Sequence, residues 1–91
     1  MDDADQYLAI PELTMTSLEL YRDEHLPTGG FLQAVLSNDL AEAVNMADKD
    51  NSKALTLIVK WAYNHLPGSS WGSPSEYQDW IKWKDGGIFS P

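Results

Sequence analysis

From residue 52 to residue 66 the chain offers water only a narrow stripe. Lys53, Thr56, Lys60 and Asn64 are polar, while Ala54, Leu55, Leu57, Ile58, Val59, Trp61, Ala62, Tyr63 and Leu66 are apolar or aromatic. Wound as a helix, those apolar positions cover most of the circumference, and such a helix needs neighbours on several sides. Asp50 or Asn51 is placed to cap its start, and Pro67-Gly68 stops it. The whole chain has only 91 residues, so this element is expected to be the centre of the fold. A chain of that length buries roughly 60–65% of its unfolded surface. Without a cysteine, no disulfide can supplement so thin a core.

The flanking segments also read as helices. Thr16-Ser17-Leu18-Glu19 has the capping-box pattern, predicting a short helix over 17–25 that ends before Pro27. Thr28 is the expected N-cap of a longer helix reaching about residue 47, with Leu32, Val35, Leu36, Leu40, Ala43, Met46 and Ala47 on one arc. Ser73-Pro74-Ser75-Glu76 is a second capping box with proline at the first helical position, predicting a last helix to about residue 84 that groups Tyr77, Trp80 and Ile81. Pro11 argues against a helix over 1–13, where Tyr7, Leu8, Ile10 and Leu13 would pack as an extended arm. The expectation is an all-α fold: a compact single domain of about four helices over 14–91, preceded by that arm.

Charge is distributed unevenly. Residues 1–48 hold ten acids and one base, Arg22, whereas residues 49–91 hold four acids and five lysines. At a formal −8, direct contact with nucleic acid is disfavoured for want of cations to neutralise phosphates. An acidic face instead attracts basic partners and speeds their association. No apolar run approaches the ~20 residues that span a bilayer. The start, Met1-Asp2-Asp3-Ala4-Asp5, is acidic where a signal peptide would be basic, so no membrane partner and a cytoplasmic location are expected.

Individual residues carry the remaining signals. Asp39 falls inside the apolar arc of the 28–47 segment. Either it is a buried carboxylate needing His25, His65, Lys60 or Arg22 as partner, or it caps a new helix after a kink at Ser37-Asn38, since Asp39-x-x-Glu42 is itself a capping pattern. Thr28, Gly29 and Gly30 precede a helix start whose free amides could hold an anion, but no lysine follows as in a phosphate-binding loop. The two histidines lack metal-site spacing, and Asp48-x-Asp50 lacks the glycine and glutamate of a calcium loop, so neither metal nor cofactor is expected. No nucleophile motif is present. Trp71 stands between Gly68-Ser69-Ser70 and Gly72, and it either folds back over the core or projects as an anchor for a partner; Trp83 lies off the Tyr77-Trp80-Ile81 stripe and raises the same choice.

The stretch Leu26 to Leu40, followed by Ala47-Asp48, Tyr63-Asn64-His65-Leu66-Pro67 and Gly72-Ser73, resembles a group of small tailed-phage and prophage proteins. Their pattern is roughly I-P-T-G-x-F-L-x-A-V-L-x-N-D-L, then A-D, Y-N-x-x-P and G-S; here Leu26 replaces the usual isoleucine. The likeness spans about residues 17 to 83, and the first motif is its specific part. It implies a phage setting, in the host cytoplasm, and it carries over no catalytic residue. Inhibitors of host defence, including anti-CRISPR and anti-restriction proteins, are similar in size and charge.

Together these readings give a non-enzymatic phage accessory protein that binds and inhibits a host protein, such as a defence component or nucleic-acid-binding factor. Asp23, Glu24, Asp39 and Glu42 would supply attraction, and Trp71 and Trp83 the desolvated anchors. Two alternatives stand beside it: a nucleotide-sequestering protein using Thr28, Gly29 and Gly30, and a homo-oligomeric structural or regulatory phage protein.

Overall fold

The computed structural model describes residues 4–82, and Trp83 with the expected end of the last helix lies outside them. Among the described residues the chain is all-α and contains five helices: α1 (Glu12–Glu24), α2 (Gly30–Leu36), α3 (Leu40–Met46), α4 (Lys49–His65) and α5 (Pro74–Lys82). Short 3-10 turns occupy Ala4–Tyr7 and Gly68–Ser70.

Five helices replace the expected four because the 28–47 segment is broken in the middle. Asn38 turns left-handed, at φ 62°, and Asp39 then accepts the Glu42 N–H at 3.2 Å as the N-cap of α3. An αL residue followed by a capping aspartate ends one helix and starts another. Thr28 does not cap α2; Gly29 holds that position without a side-chain bond. Instead the Tyr77 hydroxyl accepts the Thr28 N–H at 2.9 Å.

The N-terminal side also departs from expectation. Residues 4–13 are not an extended arm: a 3-10 turn buries Tyr7, and α1 begins at Glu12 with Pro11 at its N-cap position. Proline costs nothing there, because the first amides of a helix lack intrahelical partners in any case. The Thr16-Ser17-Leu18-Glu19 box therefore lies inside α1 and caps nothing. Neither Asp50 nor Asn51 caps α4: Asp48 does, accepting the Asn51 N–H at 2.8 Å. The Ser73 cap forms as expected, with the Glu76 N–H donating to Ser73 Oγ at 3.2 Å and α5 starting at Pro74, while the Glu76 carboxylate meets the Ser73 hydroxyl.

The core is built from one face of each helix. α1 contributes Leu18 and Tyr21, α2 Leu32, Val35 and Leu36, α3 Ala43, α4 Ala54, Ile58, Trp61 and Ala62, and α5 Tyr77. Its best-bonded end is aromatic. Tyr21 stacks on Tyr77 with ring centroids 5.3 Å apart and donates to the Ser70 carbonyl, while Trp80 Nε1 donates to the Tyr21 carbonyl at 2.6 Å. His25, the left-handed C-cap of α1 at φ 58°, stacks on Trp80 at 3.9 Å. Burial raises the Tyr21 hydroxyl's pKa far above its ordinary value, and Tyr77 and Glu76 add to the shift.

α4 is only partly the surrounded helix that its composition demands. Val59 and Tyr63 are exposed, and Leu55 and Leu57 are half-buried. Its apolar face is wider than the neighbours that cover it.

Candidate functional site

The uncovered part of α4 meets an uncovered part of α3. Leu40 and Val44 lie one turn apart on α3 and are 66% and 55% exposed. Leu55, Val59 and Tyr63 repeat every fourth residue along α4 and so share one face. A dent of about 150 Å³ joins the two helices, its lining including Leu40, Leu55, Val59, Trp71 and Asp39. Scattered exposed leucines need no explanation, but Leu40, Leu55 and Val59 share one dent with a half-buried indole, and exposed apolar clusters of this kind are common where proteins meet.

Trp71 takes the folded-back course of the two its loop position allowed. It is half-buried against the core and forms part of the dent instead of projecting from it. Gly72 makes this possible: at φ 117° it reverses the chain, and its N–H donates to the Leu36 carbonyl at 2.8 Å, tying the loop to the end of α2.

The four acidic candidates do not gather in one place. Asp39 is exposed and is not the buried carboxylate that the helical wheel allowed; the break before it turns it outward. None of the four partners considered for it is needed as a counter-charge. Asp39 and Glu42 line a second hollow of about 340 Å³ together with Gly30 and Met46, so Asp39 stands between that hollow and the apolar dent. Asp23 and Glu24 belong to the other end of the sequence pattern, at the last turn of α1. Arg22 donates two hydrogen bonds to Asp23, at 2.7 and 3.0 Å, which hold the Asp23 carboxyl below its usual pKa and raise that of the guanidinium. Asp23 is thus partly neutralised, and Glu24 is exposed.

Two features count against the anion-grip reading of Thr28, Gly29 and Gly30. The Thr28 N–H is taken by Tyr77, and the Thr28 hydroxyl lies 3.1 Å from both Gly29 O and Tyr77 Oη. The hollow at Gly30 is lined by two carboxylates, which repel an anion. A Cβ on Gly30 would meet the end of the Met46 side chain, so the glycine accommodates packing between α2 and α3.

A larger concavity was not visible in the sequence. An open groove of about 700 Å³ runs between α1, α4 and the N-terminal turn, lined by Tyr7, Leu8, Ile10, Glu12, Met15, Thr16, Glu19, Arg22, Trp61 and His65. His65 stacks on Trp61 at 5.2 Å, Tyr7 meets His65 edge-on at 5.7 Å, and the Arg22 guanidinium sits 5.4 Å from the Trp61 ring centroid. The available signal was the spacing of Glu12, Met15, Glu19 and Arg22, which puts them on one face once the helix is known to start at Glu12.

Among the described residues, no group of three or more acids and histidines is placed to hold a metal, and no helix is long and apolar enough to cross a membrane. No family model, curated protein or solved structure matches the chain.

Proposed function

We propose that this protein acts by binding another protein, using the apolar face of α3 and α4 as the contact and Asp39 with Glu42 as its acidic edge. The observation that carries this reading is the exposure of Leu40 on a dent that Trp71 and Val59 complete, with Val44 exposed one turn further along α3. An interface of this kind has an apolar centre and a polar rim. The chain's −8 charge favours a basic partner and lets the rim steer its approach. The phage setting rests on the resemblance of residues 26–40. With it comes the proposal that the partner is a host defence component or nucleic-acid-binding factor, held and inhibited in the host cytoplasm without chemistry.

The test compares the tagged protein with its Leu40→Asp/Val44→Asp variant as bait in host extract, across a salt series. The reading expects at least one basic protein that the parent retains, that the variant loses, and that is released as salt rises. Identical captures by both baits would contradict it.

A further inference from the structure

We infer that the groove between α1 and α4 is a second binding site, on another side of the molecule, and that its ligand is a basic amphipathic helix. The groove shares no lining residue with the α3–α4 dent, and Trp61 lies about 200° round α4 from Val59 at 100° per residue. It therefore stands apart from the function proposed above.

The inference comes from the chemistry along α1. Glu12, Met15, Thr16 and Glu19 line the groove in order, so a methionine and a threonine lie between the two carboxylates. The two acids are seven positions apart, two turns of helix or about 10.5 Å along the axis. Both are exposed. The guanidinium in the lining, Arg22, hydrogen-bonds Asp23 and also lies close enough to Glu19 to feel its charge, so two carboxylates outnumber the one cation in the lining. Leu8, on the groove wall, is 78% exposed, a large apolar side chain that the fold does not use.

A partner helix laid along α1 meets these demands in one register. Two lysines or arginines at i and i+7 match Glu12 and Glu19 in spacing and sign. Leucines at i+3 and i+4 lie between them, over Met15 and Leu8. Methionine adapts to such contacts because its thioether is unbranched and flexible. Reading an apolar helix face by a groove, with charge fixing the register, is an established mode of peptide recognition.

The probe is a fluorescein-labelled helical peptide carrying Lys at i and i+7 and Leu at i+3 and i+4, titrated with the whole protein and followed by anisotropy. Its control has the same composition with the lysines moved out of register. The expected result is binding about tenfold tighter for the registered peptide, with the preference abolished in Glu12→Gln/Glu19→Gln. Charge reversal, Glu12→Lys/Glu19→Lys, should transfer the preference to a peptide with Glu at i and i+7. The Leu40→Asp/Val44→Asp variant should bind the peptide as the parent does, so failure of the α3–α4 reading is distinguishable from failure of this one. Equal affinity for the two peptides, no binding by either, or binding indifferent to the Glu12 and Glu19 changes would overturn the proposal.

Discussion

α2 and α3 are neighbours of equal length, seven residues each, and the fold uses them in opposite ways. α2 buries Leu32, Ala34, Val35 and Leu36; α3 buries Ala43 alone. Yet α3 is no less apolar in sequence, with Leu40, Val44 and Met46 turned out. A helix of seven residues cannot persist on propensity alone. α3 is held by the Asp39 cap, by Ala43 and by the end of the Met46 side chain against Gly30 of α2, while Leu40 and Val44 contribute little to that. The difference teaches that apolar composition on this chain divides into a part the core consumes and a part left exposed to water.

The comparison can be broken most forcefully at Leu36, which is fully buried at the end of α2. Leu36→Ala should cost about 2–5 kcal/mol, lowering the thermal midpoint by roughly 10 °C or more. A shift within a few degrees would mean that α2 is not the anchored partner of the pair. Gly72→Ala comes next. It forces a side chain into a positive-φ position and endangers the N–H bond to Leu36, a loss of about 1–3 kcal/mol in urea unfolding.

Tyr21→Phe probes the support at the start of α2, where Tyr21 stacks on the tyrosine that holds Thr28. Losing the bond to Ser70 should cost about 1 kcal/mol or somewhat more. The same hydroxyl gives a pH signature. The folded state favours its neutral form, so its contribution is complete below the ordinary tyrosine value of 10.0. Above that pH the unfolded chain loses the proton while the folded chain keeps it, and stability falls. Denaturation midpoints between pH 9 and 11 should therefore drop less steeply in Tyr21→Phe than in the parent.

At the junction of the two helices, Asn38→Gly relieves a left-handed residue at φ 62° and should stabilise by a few tenths to about 1 kcal/mol. The smallest effect belongs to α3 itself: Leu40→Ala should change stability by no more than about 0.5 kcal/mol, since the side chain is mostly in water. A loss of more than about 2 kcal/mol there would place Leu40 in the core and remove the contrast with Leu36.

Much of the fold was legible because local chemistry and tertiary packing agree at those points. The Ser73 box with Pro74, and the stop at Pro67-Gly68, depend only on neighbours in sequence. The break at Ser37-Asn38 was hidden because Leu32, Val35, Leu36 and Ala43 remain on the core side across it, so the apolar period runs through unbroken. Only the Asp39-x-x-Glu42 pattern recorded it, as one of two readings of that aspartate. The early start of α1 was masked by reading Pro11 as a breaker where it is an initiator. For the site, the sequence pointed to Asp39, Glu42 and Trp71 but could not show that Leu40, Val44 and Val59 would stay uncovered. Apolar pattern marks what prefers to leave water, and the supply of neighbours decides what does. The α1–α4 groove was out of reach for a further reason: residues 7–22 meet residues 61 and 65 only through tertiary folding.

The central claim is that the outward face of α3 serves an interface and not the core. It is tested most directly by measuring partner retention for Leu40→Asp/Val44→Asp at a temperature where its circular dichroism matches the parent's. The account predicts a helical, cooperatively melting protein that no longer holds the basic partner captured by the parent. Full retention of that partner by the equally folded variant would contradict it.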